Sequence, residues 1–118
     1  QNHKPQLGIL ALYGHPRLSV ALIAIHRSPA NNWTLETMAQ CAAQSRTQFA
    51  KTFRETSGWT PMQYLTWWRM QLAWSYLRDG LSIADVAERV GYQSESSFSR
   101  IFKKTFSENA GSIRKLKK

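Results

Sequence analysis

The chain carries a single cysteine, Cys41. No intramolecular disulfide can form, which excludes a secreted disulfide scaffold and fits a reducing, cytoplasmic setting. Acids are scarce: 7 Asp+Glu stand against 16 Lys+Arg, a formal net charge of +9. No apolar run approaches the roughly 18 residues that cross a bilayer, and the short stretch LGILALY at 7–13 has no small-residue cleavage pattern of a signal peptide. Strand-type alternation is nowhere sustained. There is no Gly-rich phosphate loop, no paired-carboxylate arrangement and no metal-ligand spacing. His3, His15 and His26 are scattered and read as surface or capping residues. Cys41 has no His at matched spacing and reads as structural, since a reactive thiol needs a base or a positive field beside it. An enzyme, a cofactor and a metal are therefore not expected.

What is present is a chain of 118 residues, enough for one domain or two very small ones, with 42% apolar residues to build a core. Its basic excess favours a polyanionic partner, either nucleic acid or an anionic membrane surface. Pro5, Gly8, Gly14 and Pro16 make residues 1–15 read as a linker, and a start at Gln1 reads as a cut from something longer.

Beyond Pro16 the pattern is helical. Leu18, Ala21, Leu22 and Ile25 fall at i, i+3, i+4, i+7, one apolar stripe that Pro29 stops. Thr34 is the expected N-cap of a helix carrying Leu35, Met38, Ala39 and Ala42. Ser45 and Gln48 form an S-x-x-Q capping box before a helix that buries Phe49 and Phe53 and ends at Gly58. Thr60 and Pro61 open a long helix to about Asp79, stopped by Gly80 and apolar on more than one face. Ser82 with Asp85 caps a helix bearing Ile83, Val86, Ala87 and Val90. Gly91 breaks it, Ser94 opens a helix with Phe98, Ile101 and Phe102 inward, and Asn109 precedes a last short helix.

Two segments repeat. Residues 34–42 and 82–90 share one pattern at an offset of 48, and residues 45–54 and 94–103 share a second at an offset of 49. One extra residue in the second turn, GYQS against AQS, accounts for the difference. Each copy reads as a short helix, a tight turn and a second amphipathic helix, which is a helix-turn-helix. Ala39 and Ala87 allow close helix approach, and the turn that follows holds Ala43 in one copy and Gly91 in the other. Opposite the phenylalanines lie Thr47, Ala50, Lys51 and Arg54 in the first copy, and Ser96, Ser99, Arg100 and Lys103 in the second. Small or hydroxyl residues precede bases in both stripes. Small residues admit a groove floor, and Lys and Arg donate to guanine edges or phosphates. A single basic helix face is usually just solvated, but its recurrence behind two tight turns favours DNA reading. The linking helix, at about 26 Å, is of the order needed to hold two reading helices about 34 Å apart, the spacing of major-groove faces on one side of B-DNA. The tryptophans at 33, 59, 67, 68 and 74 read as core packing rather than a base-stacking platform. Arg69, among them, is open between an acid partner and a phosphate. The RKLKK tail is a basic patch, either a nonspecific phosphate contact or a solvated end.

Over residues 16–114 the sequence resembles the DNA-binding domain of the AraC/XylS family of bacterial transcription regulators. IADVAERVGYQSESSFSRIFKKTF is the most specific part, and PMQYLTWWRMQLAWSYLRD is similar to the family's linking helix, with its Arg-Met-x-x-Ala run at 69–73. The resemblance implies an all-α fold of about seven helices, with two helix-turn-helix lobes joined by a long central helix: lobe one at 16–58, linking helix at 60–79, lobe two at 81–116. It also implies sequence-specific binding of double-stranded promoter DNA through two adjacent major-groove segments. The base-facing positions carried over are Thr47, Ala50 and Lys51, then Ser96 and Arg100. Ser45, Arg46 and Ser94 match phosphate-contacting positions, to which the outer stripes add Arg54 and Lys103. Glu95 matches too, as a partner of the turn backbone or of a cytosine amino group. The sequence departs from the family at SENAGSIRK, with Ala110 where Pro is usual, which leaves the last helix open to fraying, and at Ala43 where Gly is common. The resemblance further implies RNA polymerase as a partner and an upstream domain, absent here, that binds any effector. On this reading the chain is the C-terminal part of a longer regulator; a stand-alone regulator is the second option. The rival from another class is a protein-interaction module docking on RNA polymerase or a partner regulator. A DNA-modifying enzyme using Cys41 comes third.

Overall fold

The computed structural model describes residues 5–114. Among these residues there are eight helices and no strand: α1 (Pro5–Tyr13), α2 (Leu18–Arg27), α3 (Leu35–Cys41), α4 (Arg46–Ser57), α5 (Pro61–Arg78), α6 (Ile83–Arg89), α7 (Glu95–Phe106) and α8 (Ala110–Arg114). They belong to two compact units. The first comprises the described residues up to 28 together with 33–65; the second comprises 29–32 together with residues from 66 onward. The division falls inside α5, so the expected separate linking helix gives its first residues to one unit and the rest to the other.

The first unit departs from the sequence reading at its start. Residues expected to be linker form α1, which packs on α2 and α4 and buries Leu12. The two residue types that suggested a linker serve this helix. Pro5 stands at its first position, where a missing N–H is harmless. At Gly8 an added Cβ would sit 3.0 Å from the Ser57 carbonyl oxygen, so Gly permits the close approach to the end of α4. The rest follows the apolar stripes. Leu18, Ala21, Leu22 and Ile25 of α2, Met38 and Ala39 of α3, and Phe49 and Phe53 of α4 are all buried. His26 bridges two tyrosines, with Nδ1 paired to Tyr13 Oη at 3.1 Å and Nε2 paired to Tyr64 Oη. Burial lowers the His26 pKa and raises that of Tyr64. His15 has the expected capping role: its Nδ1 accepts from the backbone N–H of Arg17 and of Leu18 at the start of α2.

The second unit has a core of the same design, built on Met70, Leu77, Val86, Val90, Phe98 and Phe102. Its last helix is formed: Ala110 and Ile113 of α8 are buried, and Arg114 Nε donates to the Leu81 carbonyl at 2.9 Å. Residues 115–118, the remainder of the basic tail, lie outside the described residues, as does His3.

Both short helices end in the same left-handed device. After α3 the Gln44 N–H donates to the Ala39 carbonyl at 3.1 Å and the Ala43 N–H to that of Gln40 at 3.0 Å. After α6 the Tyr92 N–H donates to the Ala87 carbonyl at 2.8 Å and the Gly91 N–H to that of Glu88 at 3.2 Å. These are paired Schellman bonds around a residue with positive φ. That residue is Gly91 at φ 96° in the second unit and Ala43 at φ 57° in the first. An L side chain in this region costs about 1–2 kcal/mol, of which glycine's extra freedom in the unfolded chain gives back part. Ala43→Gly is therefore expected to raise stability by about 0.5–1 kcal/mol, measured by urea unfolding. No gain would show that the first turn does not hold this conformation.

Candidate nucleic-acid interface

Each unit carries its own candidate reading helix, α4 in the first and α7 in the second, each capped by the serine that the sequence singled out. Ser45 Oγ accepts from the Gln48 N–H and Ser94 Oγ from the Ser97 N–H, both at 3.1 Å. The expected box at Ser45 is only half made: the Gln48 side chain turns forward instead, its Nε2 donating to Thr52 Oγ1 at 2.8 Å. Reciprocal boxes stand elsewhere, between Thr34 and Thr37 and between Thr60 and Gln63. The second is a plain T-x-x-Q, behind the proline that had drawn attention to that helix start.

Phe49 and Phe53 are fully buried on α4, and Phe98 and Phe102 on α7. The ring pairs are nearly superimposable in geometry, with centroids 5.6 Å apart at 59° in α4 and 5.7 Å apart at 52° in α7. Because successive residues of an α-helix turn by 100°, fixing these rings inward points positions two residues away outward. Thr47, Lys51 and Arg54 are exposed and Ala50 is half-buried; Ser96, Arg100 and Lys103 are exposed and Ser99 is half-buried. Ser45, Arg46 and Ser94 are exposed as well. Each helix thus presents its predicted set on one wet face. Lys51, Arg54, Arg100 and Lys103 make no hydrogen bond or ion pair with any described residue, so their donors are available. Glu95 is exposed in the first turn of α7 and makes no bond to the turn backbone, which removes one of its two expected roles.

Other bases bond to backbone carbonyls of the fold, which the sequence did not make legible. Arg17 Nη1 donates to the Ala43 carbonyl at 2.9 Å, bracing the first turn. Arg69 is half-buried and pairs with no acid among the described residues. Its Nε donates to the Pro29 carbonyl and its Nη2 to the Asn31 carbonyl, both at 2.9 Å, and its guanidinium lies 5.6 Å from the centroid of the Tyr92 ring. Burial pushes its pKa down, with Tyr92 acting in the opposite direction, and burial raises that of Tyr92. A carbonyl partner leaves no mark in a sequence, so no motif announced this contact. Two of the tryptophans pack as expected: Trp33 is buried, with its Nε1 donating to the Ser28 carbonyl at 2.8 Å, and Trp74 stacks on Phe102 and meets Phe106 at a tilt of 60°. Cys41 is half-buried at the end of α3. No helix among the described residues is long and apolar enough to cross a membrane.

A pair of helix-turn-helix units, each with a cationic face on its second helix, defines the class of the molecule as a twin helix-turn-helix domain. The family model described as a helix-turn-helix domain matches residues 38–116, and the chain belongs to that family, in its AraC-type branch. It is 41% identical over 107 residues to the RCS-specific HTH-type transcriptional activator RclR of Escherichia coli strain K12, covering 90% of this chain and 38% of that protein. The chain spans only 24% to 39% of the length of the curated relatives it matches. Among solved structures, the C-terminal domain of AraT, a response regulator from Geobacillus stearothermophilus, superposes with a TM-score of 0.82 at 28% identity, covering 87% of both chains. A DNA-binding transcriptional dual regulator from Escherichia coli K-12 superposes with a TM-score of 0.75 at 30% identity, covering 85% of this chain and 89% of that one.

The second turn is the tighter of the two. A Cβ on Gly91 would lie 2.8 Å from Arg69 Nη2 and 3.1 Å from the Ala30 Cα. Gly91→Ala adds this overlap to the left-handed strain and is expected to cost about 2 kcal/mol or more, read by urea unfolding. A loss under about 0.5 kcal/mol would mean that the guanidinium moves aside freely.

Proposed function

We propose that this chain is the promoter-reading part of a bacterial transcription regulator and that it acts by binding double-stranded DNA, not by catalysis. The observation that carries this reading is the twice-built helix, α4 and α7, each with phenylalanines locked inward and, behind a left-handed turn, outward cations that no described residue partners. In this reading Thr47, Ala50 and Lys51 of α4 and Ser96 and Arg100 of α7 meet base edges in adjacent major-groove segments. Ser45, Arg46, Arg54, Ser94 and Lys103 meet phosphates and fix the register. Lys51 and Arg100 supply most of the direct readout, Arg100 through the bidentate geometry that suits guanine. The similar dual regulator of Escherichia coli K-12 is DNA-binding, which supports the same assignment. The setting is the cytoplasm, and any effector would be sensed by a further domain of a longer protein.

A protein contact is the second reading, with RNA polymerase as the expected partner. The exposed Leu10 and Tyr13 of α1 and Val20 and Ile23 of α2 favour such a surface. It would act beside DNA binding. A gel shift with promoter duplex against scrambled competitor separates the two: a module that only docks on protein shows no preference between them.

Arg100→Ala is expected to cost about 1–3 kcal/mol on the proper site and to relax discrimination at one base position; Lys51→Ala should do the same in the other block. Equal loss on every sequence would reassign the residue to a phosphate. With about six phosphates engaged, affinity should fall by roughly 10³-fold between about 50 and 200 mM salt. A flat salt titration would contradict the electrostatic footing of the proposal.

A further inference from the structure

Among the described residues of the second unit, Arg69 is the one base held by two separate backbone carbonyls. Its Nε and Nη2 reach the Pro29 and Asn31 carbonyls at 2.9 Å each, which fixes the plane of the guanidinium from one edge. These partners are neutral, so the contact is geometric rather than an ion pair. The same plane carries the turn that leads into α7. Gly91 lies so close that a Cβ there would stand 2.8 Å from Nη2 and 2.9 Å from Cζ. Tyr92 follows directly, with its ring 5.6 Å from Cζ. The Tyr92 ring in turn lies 5.9 Å from that of Phe98, the first inward anchor of α7. A continuous series of contacts therefore runs from a fixed guanidinium through the turn to the helix that bears Ser96 and Arg100.

We propose that Arg69 is the positioning residue of the second reading helix: by serving as the floor for Gly91 and the cation under Tyr92, it sets the direction in which α7 presents Ser96 and Arg100. This rests on the assignment of α7 as a DNA-reading element. Only arginine fits the post. A planar fork can bond two carbonyls at its edge while offering a flat face to a glycine and an aromatic ring. Lysine keeps the charge but is a compact ammonium with no such face, so Arg69→Lys separates positioning from simple attraction to phosphate.

The test compares the 118-residue chain with its Arg69→Lys and Tyr92→Leu variants in two measurements. The first is amide hydrogen exchange of the free protein. Exchange over residues 94–100 is expected to quicken about tenfold in both variants, with residues 45–51 unchanged. The second is binding to a duplex selected from random DNA by the wild-type chain, with each recognised block scrambled in turn and active fractions set by stoichiometric titration. The penalty for scrambling the block read by α7 should shrink about tenfold in both variants, while the penalty for the other block stays within about twofold. Equal change in both helices and both blocks would reduce Arg69 to general support of the fold. Wild-type behaviour of Arg69→Lys in both measurements would show that only its charge matters. If the wild-type chain selects no duplex, the DNA reading fails, and the exchange comparison alone still decides whether Arg69 orders α7.

Discussion

Everything about the candidate interface depends on two phenylalanines placed one turn apart on each reading helix. Phe49 with Phe53, and Phe98 with Phe102, are fully buried and meet at almost the same distance in both units. Burying a side chain of this size contributes about 1.5–3 kcal/mol, so a pair holds its helix against rotation far more firmly than any surface charge does. Rotational phase is the quantity that matters here. Once it is set, Lys51, Arg54, Arg100 and Lys103 face water by helical geometry alone. No described residue partners them, which leaves their donors for something outside the fold.

The turns set the other coordinate, the angle at which each helix leaves its short predecessor. Both use the same pair of backbone bonds around a left-handed residue, yet they are braced differently. In the first unit an alanine takes the strained position, and Arg17 bonds its carbonyl. In the second a glycine takes it, and the space a side chain would need is filled by Arg69. The basic excess of the chain is thus divided between two kinds of work. Some bases are free on the reading faces, and some, such as Arg17, Arg69 and Arg114, donate to carbonyls that the chain leaves over at turns and helix ends. Net charge suggested a polyanionic partner; the structure places these three arginines on carbonyls of the fold.

Most of the architecture was legible because it is written twice. Repetition at offsets of 48 and 49 raised two weak amphipathic patterns into a strong one, and every inward position named in the two repeated helix pairs is buried or half-buried. The outward stripes follow from the same periodicity. The misses share a physical origin in contacts with no sequence signature. α1 was hidden because Pro5 and Gly8 are ambiguous: one starts a helix as readily as it breaks one, and the other is there for a close approach to Ser57. Gln48 fits a capping box by pattern but finds Thr52 one turn on. Arg69 was open between two charged partners and took carbonyls and a ring. The Ala110 departure pointed to fraying, yet Ala110 and Ile113 are both buried in the second core and hold the last helix to it.

The central claim is that one chain carries two similar reading heads for duplex DNA. Selection of bound sequences from a random duplex pool tests it most directly. The account predicts a motif of two short conserved blocks centred roughly 10 base pairs apart. Recovery of a single block, or of a pool no different from the input, would contradict it.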